Sequence, residues 1–363
     1  MSYIASDPFS VCFNMMKMRY HEYEQTIDSD KLDLKPTDPV NVFINFESVM
    51  NYLSTVQDID HKIEIYRDAN LILTSCAINL MAHYRRFFRD YKMDVKVFLY
   101  MTDLSNTNQV NNQYVDDYRS YYFNKFMTNP KFAALGEKVT ESVIPDCHAI
   151  CKAINGVYFL VGSGIEGSLI PLIVDEFYEG KRKNFLISND VYDVQFQALP
   201  NFMTHIMRRS SKGAVNTSSI VQTMDYVMRS KIDVSDLRLF NNPAFYRLLL
   251  ACLGDRKRYV DGIRGYGPLT LIKMIKKGIE NQQITENTTE IELLSKMFSI
   301  DIREELTNHF HVMDLDRQLL ECPEDIKFDI TSQIEDQPNL AKIQELQSGL
   351  LYDHQLMLQE LTY

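Results

Sequence analysis

Apolar residues in this chain gather in short unbroken runs separated by longer stretches at helical spacing. The runs "VNVFINF" (40–46), "DVKVFLYM" (94–101), "GVYFLVG" (156–162) and "KNFLISND" (183–190) have the length and continuity of strands buried on both faces of a parallel sheet. Between the first two, Ile65, Leu71, Leu73, Ile78, Met81 and Tyr84 recur near helical spacing over residues 61–90. After the third run, "IEGSLIPLIVDEFYEG" reads as a helix. This alternation predicts an α/β fold with a central, mostly parallel sheet flanked by helices.

From residue 201 onward the pattern is mostly helical, and an acidic stretch near the end reads as loop followed by a terminal helix. Four parts are expected: an extension over 1–39, the α/β core over 40–200, a helical part over 201–296 and an acidic extension over 297–363. Residues 103–130 are polar and tyrosine-rich, which predicts an excursion from the core. Tyr114, Tyr118, Tyr121 and Tyr122 lie in it. Aspartates interrupt them, so a protein partner suits them better than stacking on bases.

In sheets of this class, function collects beyond the carboxyl ends of the strands. Three strands end in polar residues here: the first at Asn45, the third in "VGSGIEGS" with Glu166, and the fourth in "ISNDVYDVQF" with Asp190. "CLGD" then places Asp255 just ahead of a turn that carries Gly262, Gly265 and Gly267, followed by Pro268 and the helical "LTLIKMIKKGIE".

Composition narrows the possible partners. The formal net charge of -11 opposes nonspecific nucleic-acid binding, which Lys and Arg neutralisation of phosphate dominates. The charge is uneven, however. Residues 254–278 hold seven basic side chains against two acidic ones, so any nucleic-acid contact is expected to be local, at Arg264, Lys273, Lys276 and Lys277. Arg208, Arg209 and Lys212 form a smaller basic patch that reads as a loop. No apolar run is long enough to span a membrane, and the N-terminus lacks the basic start, apolar run and cleavage site of a secretory signal, so a cytoplasmic protein is expected. The six scattered cysteines fit reduced, buried thiols, "CHAIC" (147–151) included. His309 and His311 alternate as on a strand and are not expected to hold metal.

The ordered strand ends and "GIRGYGPLT" (262–270) resemble the flap endonuclease or 5′-nuclease family, a branch of the PIN-like nucleases. "ISNDVYDVQF" is similar to that family's "SxDxDxxQ" strand end, keeping Ser188, Asp190 and Gln195. The resemblance implies two divalent cations, Mg²⁺ or Mn²⁺, about 4 Å apart that clamp the attacking and leaving oxygens of a phosphodiester. It also implies a helix–turns–helix module that grips duplex phosphates through backbone N–H groups. Glu166, Asp190 and Asp255 match the family's metal positions. Asn45, Leu99 or Tyr100, Ser168, Leu169, Tyr192 and Arg258 stand where it carries acids.

The expectation is therefore a nuclease fold that has lost catalysis, holds no cofactor, and acts as an adaptor or as a subunit of a nucleic-acid-handling complex. Divergent relatives occur in large phages, and a phage source would place the protein in the host cytoplasm. Two alternatives are an active enzyme with a metal site rebuilt from Glu47, Asp103, Glu166, Asp190, Asp193 and Asp255, and a noncatalytic DNA- or RNA-binding module.

Overall fold

The computed structural model describes residues 37–48, 77–102, 144–188, 190–210, 213–217, 232–255, 260–285 and 287–334, apart from 79, 83, 87, 90, 91 and 164. Its centre is a six-stranded sheet. β1 (Pro39–Asn45) lies in the middle, with β2 (Asp94–Thr102) and then β3 (Val157–Gly162) on one side. On the other side are β4 (Lys183–Ser188), β5 (Phe202–Ser210) and β6 (Gly213–Thr217). β1 to β5 run parallel, and β6 returns antiparallel to β5. The chain builds outward from β1 in one direction and then crosses to the other, so the carboxyl ends of β1 and β4 flank a topological switch point.

Both faces of the sheet are covered, as the continuous apolar runs require. On one face Phe43, Phe98 and Tyr158 stack in a row, with ring centroids 5.0 and 4.9 Å apart, and Phe202 extends the row from β5. Helices α2 (Ile170–Phe177) and α4 (Pro243–Leu253) cover that row. On the opposite face, helical residues between 77 and 89 bring Tyr84 and Phe88 onto Phe185 of β4, at 5.6 and 5.3 Å. Helix α1 (Ile144–Ala153) brings Cys151 to 3.9 Å from the Met81 sulfur. Cys147, Cys151, Cys252 and Cys322 are buried thiols outside any disulfide, and burial pushes the Cys252 thiol up to about 12. Cys12 and Cys76 lie outside the described residues.

The rest of the helical part comprises α3 (Val234–Leu237), α5 (Pro268–Glu280), α6 (Glu290–Met297), α7 (Ile300–Met313), α8 (Leu315–Glu321) and α9 (Glu324–Thr331). No described helix is long and apolar enough to cross a membrane.

Three expectations change. The sheet continues past residue 200: β5 buries Phe202 and Met203, and Arg208 and Arg209 pair across to Val215 and Ala214 instead of forming a loop. Polar residues in "FMTHIMRRS" hide this strand from a reading based on apolar continuity. Within the acidic extension, residues 300–331 are helical where loop was expected from about residue 321, and residues 335–363 lie outside the described residues. α7 packs on α4, and α9 packs on α2 and β3, through buried Leu306, Phe310, Met313 and Ile330. Its acids lie mostly on outer faces. His309 and His311 are on α7, not on a strand, and His309 Nδ1 lies 2.8 Å from the Ala251 carbonyl on α4. The Gln333 amide then bonds both the N–H and the C=O of Val161, at 3.0 and 3.1 Å, closing part of the free edge of β3.

Candidate functional site

The strand ends converge as expected, but their carboxylates are already engaged. At the end of β1, the Asn45 side chain accepts the Ser48 N–H at 2.9 Å and caps the short helical turn that follows. Glu47, one residue into that turn's body, accepts the Thr102 N–H at 2.9 Å and so ties the exit of β1 to the end of β2. The Thr102 hydroxyl in turn accepts the Gly167 N–H at 3.0 Å. Only glycine fits there, because a Cβ at residue 167 would lie 2.9 Å from that hydroxyl.

Glu166 is buried at the entrance to a 3₁₀ turn (Gly167–Leu169), and its carbonyl accepts the Leu169 N–H at 2.9 Å. Ser168, standing where the resemblance implies an acid, donates to Asp193 Oδ1 at 2.6 Å. Leu169, at the next such position, packs in the core. After β4, Asp190 donates its N–H to Ser188 and accepts the Tyr192 N–H, both at 3.0 Å. Ser188 also lies 3.1 Å from the Ser48 hydroxyl. Tyr192, another position of a missing acid, points away into the helical layer, where its hydroxyl donates to the Val312 carbonyl at 3.2 Å. These are charge-assisted bonds within the protein wherever a carboxylate takes part.

Tyr100 sits inside this arrangement. The β1–β2 register pairs it with Asn45, which puts both side chains on the face that carries Phe43 and sends Leu99 to the other face. Tyr100, not Leu99, therefore stands where the resemblance implies the second-strand acid, a choice the sequence left open. It is 0% exposed, and the Asn45 side chain lies beside its hydroxyl without forming a well-aligned hydrogen bond. A buried hydroxyl in that state costs about 1–3 kcal/mol. Burial and the charges of Asp193, Glu47 and Asp190 hold its phenol well above the usual tyrosine range, with Asn45 opposing weakly.

These residues do not fit a two-cation centre. Among the described residues, no three Asp, Glu, His or Cys side chains converge closely enough to hold a metal ion. Asp255 belongs to the glycine turn instead of the sheet. It pairs with Val260 through backbone bonds of 2.8 and 3.0 Å, next to Gly254 at φ 70°. Arg258, Asp103, Tyr114, Tyr118, Tyr121 and Tyr122 lie outside the described residues, as does Lys212.

The glycine turn is the second part of the site. Gly262 runs against the C-terminus of α4, and the Ile263 N–H donates to the Cys252 carbonyl at 2.8 Å. Gly265 has φ 91°, and Gly267 caps α5, its carbonyl accepting the Thr270 and Leu271 N–H groups. Nothing lies within 4 Å of where a Cβ would stand at either residue, so the turn presents open backbone. The N–H groups of Arg264, Gly265, Gly267 and Leu269 donate to no described group. Arg264, Lys273 and Lys277 are exposed, the last two one helical turn apart. Lys276 is different, being ion-paired with Asp236 of α3.

Strand order, acids at the strand ends and a glycine turn in the helical part give an α/β fold with a central, mostly parallel sheet flanked by helices. No protein-family model matches the sequence, and no curated protein matches it. Among solved structures, the chain is similar to the bacteriophage T5 D15 protein co-crystallised with metal ions, at a TM-score of 0.48 and 15% identity over 81% of this chain and 98% of that one. It is also similar to human GEN1 in complex with Holliday junction DNA, at a TM-score of 0.42 and 12% identity over 91% and 76% of the two chains. The catalytic core of Rad2 in complex with DNA substrate follows at 0.38 and 13%, over 91% and 94%.

Proposed function

We propose that this protein binds the backbone of duplex nucleic acid without cutting it, as a noncatalytic subunit of a nucleic-acid-handling complex. The observation that carries this reading is an asymmetry between the two parts of the site. At the strand ends, Glu47, Asp190 and Asp193 each accept a hydrogen bond from a neighbouring N–H or hydroxyl, and no three carboxylates converge among the described residues. At the glycine turn, four N–H groups stay open beside three exposed cationic side chains, although the chain as a whole is acidic.

Such a turn suits phosphate oxygens. Open N–H groups donate to them, the N-terminus of α5 adds partial positive charge, and Lys273 and Lys277 neutralise the strand beyond. Contacts of this kind position a duplex and carry no sequence information, so binding follows shape and charge.

The test is fluorescence anisotropy of labelled duplex and flapped DNA across a salt series. Replacing Lys273 and Lys277 by Gln lowers affinity on every sequence alike and flattens the log–log salt slope by about 2, from about 0.9 per phosphate contact. A slope unchanged by the double substitution, or no binding at low salt, overturns the reading.

A further inference from the structure

We propose that a cavity at the start of α4 is a socket for a short segment of a partner protein, one that offers an aliphatic side chain with a lysine or arginine beside it. This goes beyond duplex binding and uses another part of the surface. Pro243 and Arg247 line the cavity from the first turns of α4, whereas the glycine turn meets that helix at its other end, at Cys252.

The cavity measures about 110 Å³ and lies where α2 and the turn after β4 meet α4 and α8. Leu172, Phe196, Leu199 and Leu315 join Pro243 in its apolar wall. Gln195 braces the two sides, its amide donating to the Tyr192 carbonyl at 3.0 Å and its oxygen accepting the Leu315 N–H at 3.4 Å. An apolar cavity of about 150 Å³ admits benzene, so this smaller one suits an isopropyl or isobutyl group.

Charge decides what accompanies that group. Arg247 Nε donates to Glu290 Oε1 at 2.9 Å, and its Nη1 reaches Asp316 Oδ2 at 2.7 Å and Asp314 Oδ1 at 3.4 Å. Three carboxylates thus surround one guanidinium, and the cluster keeps a surplus of negative charge. Burial holds the Asp314 carboxyl above its ordinary range even though Arg247 opposes it, which marks the same shortage of positive charge. The Asp316 side chain is 52% exposed at the mouth of the cavity, and its Oδ1 accepts no hydrogen bond from a described group. Such a mouth attracts a cation and repels an anion.

Beyond Asp316 the surface turns apolar again. Leu320 lies one helical turn further along α8, on the same face, and is 85% exposed. A buried aliphatic anchor, a charged contact at the rim and a second apolar contact outside it extend past the reach of a small amine. Together they match the way a peptide segment is held, with most of the energy at the anchor.

The probe is the acetylated tetrapeptide amide Leu-Lys-Ala-Leu, added to the full chain while its leucine methyl groups are followed by NMR. It is expected to shift the Leu172, Leu199, Leu315 and Leu320 methyls saturably, with a Kd on the order of 1 mM. The same peptide with Glu in place of Lys should bind at least about fivefold more weakly, and raised salt should narrow that difference. Leu320→Ala, at an exposed position, should weaken the lysine peptide about fivefold.

Cavity methyls unmoved by the lysine peptide, or equal binding of the glutamate peptide, overturns the inference, and both are read on wild-type protein. An affinity unchanged in Leu320→Ala leaves the cavity to a small amine and overturns the assignment to a protein segment. Duplex anisotropy should be the same with and without saturating peptide, so failure of either reading leaves the other in place.

Discussion

Gly262→Ala is expected to destabilise the protein by about 3 kcal/mol. A Cβ at residue 262 would lie 2.5 Å from the Leu253 carbonyl oxygen, 3.1 Å from its carbon and 3.3 Å from the Cys252 oxygen. All three are backbone atoms at the C-terminus of α4, so no side chain can swing aside to relieve the contact. The turn must lift away from the helix. That breaks the Ile263–Cys252 bond of 2.8 Å and disturbs the paired Asp255–Val260 bonds of 2.8 and 3.0 Å. Three hydrogen bonds at about 1 kcal/mol each give the figure. In urea, followed by helical circular dichroism, the midpoint should fall by about 1 M if m is about 3 kcal/mol/M and unchanged. Gly267→Ala is the matched control. Residue 267 has φ -72° and open space where its Cβ would go, so its substitution should cost no more than about 1 kcal/mol while weakening duplex binding. A Gly262→Ala midpoint equal to wild type, or equal losses in the two variants, refutes the reasoning.

Ser168→Ala removes the 2.6 Å donor to fully buried Asp193, and the variant should lose about 1.5–3 kcal/mol in the same urea assay. Gln333→Ala frees the Val161 N–H and C=O on the edge strand β3, and amide hydrogen exchange at Val161 should accelerate by about tenfold, the equivalent of about 1.4 kcal/mol. Thr289, through its backbone N–H and hydroxyl at the start of α6, holds the Glu292 carboxyl below its ordinary 4.5. The stability this adds is present above pH 4.5 and is lost as pH falls through the lowered value, so Glu292→Gln should flatten the acid limb of a thermal-melt pH series.

The sheet was legible because β1 to β4 are buried on both faces, which leaves unbroken apolar runs with polar residues only at their ends. That same feature located Asn45, Glu166 and Asp190 at one edge of the sheet. β5 escaped because its polar residues interrupt the run. Helix α9 escaped because its acids dominate the local composition, whereas the helices before it follow the helical pattern read from residue 201, with Leu306, Phe310 and Met313 one helical turn apart. Within the site, the sequence reading left Leu99 and Tyr100 as equal alternatives, and only pairing with Asn45 across β1 decides between them. The bonds from Ser168 to Asp193 and from Thr102 to Glu47 join residues 25 and 55 positions apart, so local spacing carries no sign of them. Lys276 looked equivalent to Lys273 and Lys277 along the helix. Its ion pair with Asp236 depends on where α3 lies, which the spacing of lysines does not encode.

The most direct test of the central claim is cleavage of labelled flap, nicked and single-stranded DNA by the wild-type protein in Mg²⁺ or Mn²⁺, with Asp190→Ala alongside. The account predicts intact substrate from both proteins under conditions where anisotropy shows duplex bound. Cleavage by wild type that disappears in Asp190→Ala would contradict it and make the strand-end carboxylates a working metal centre.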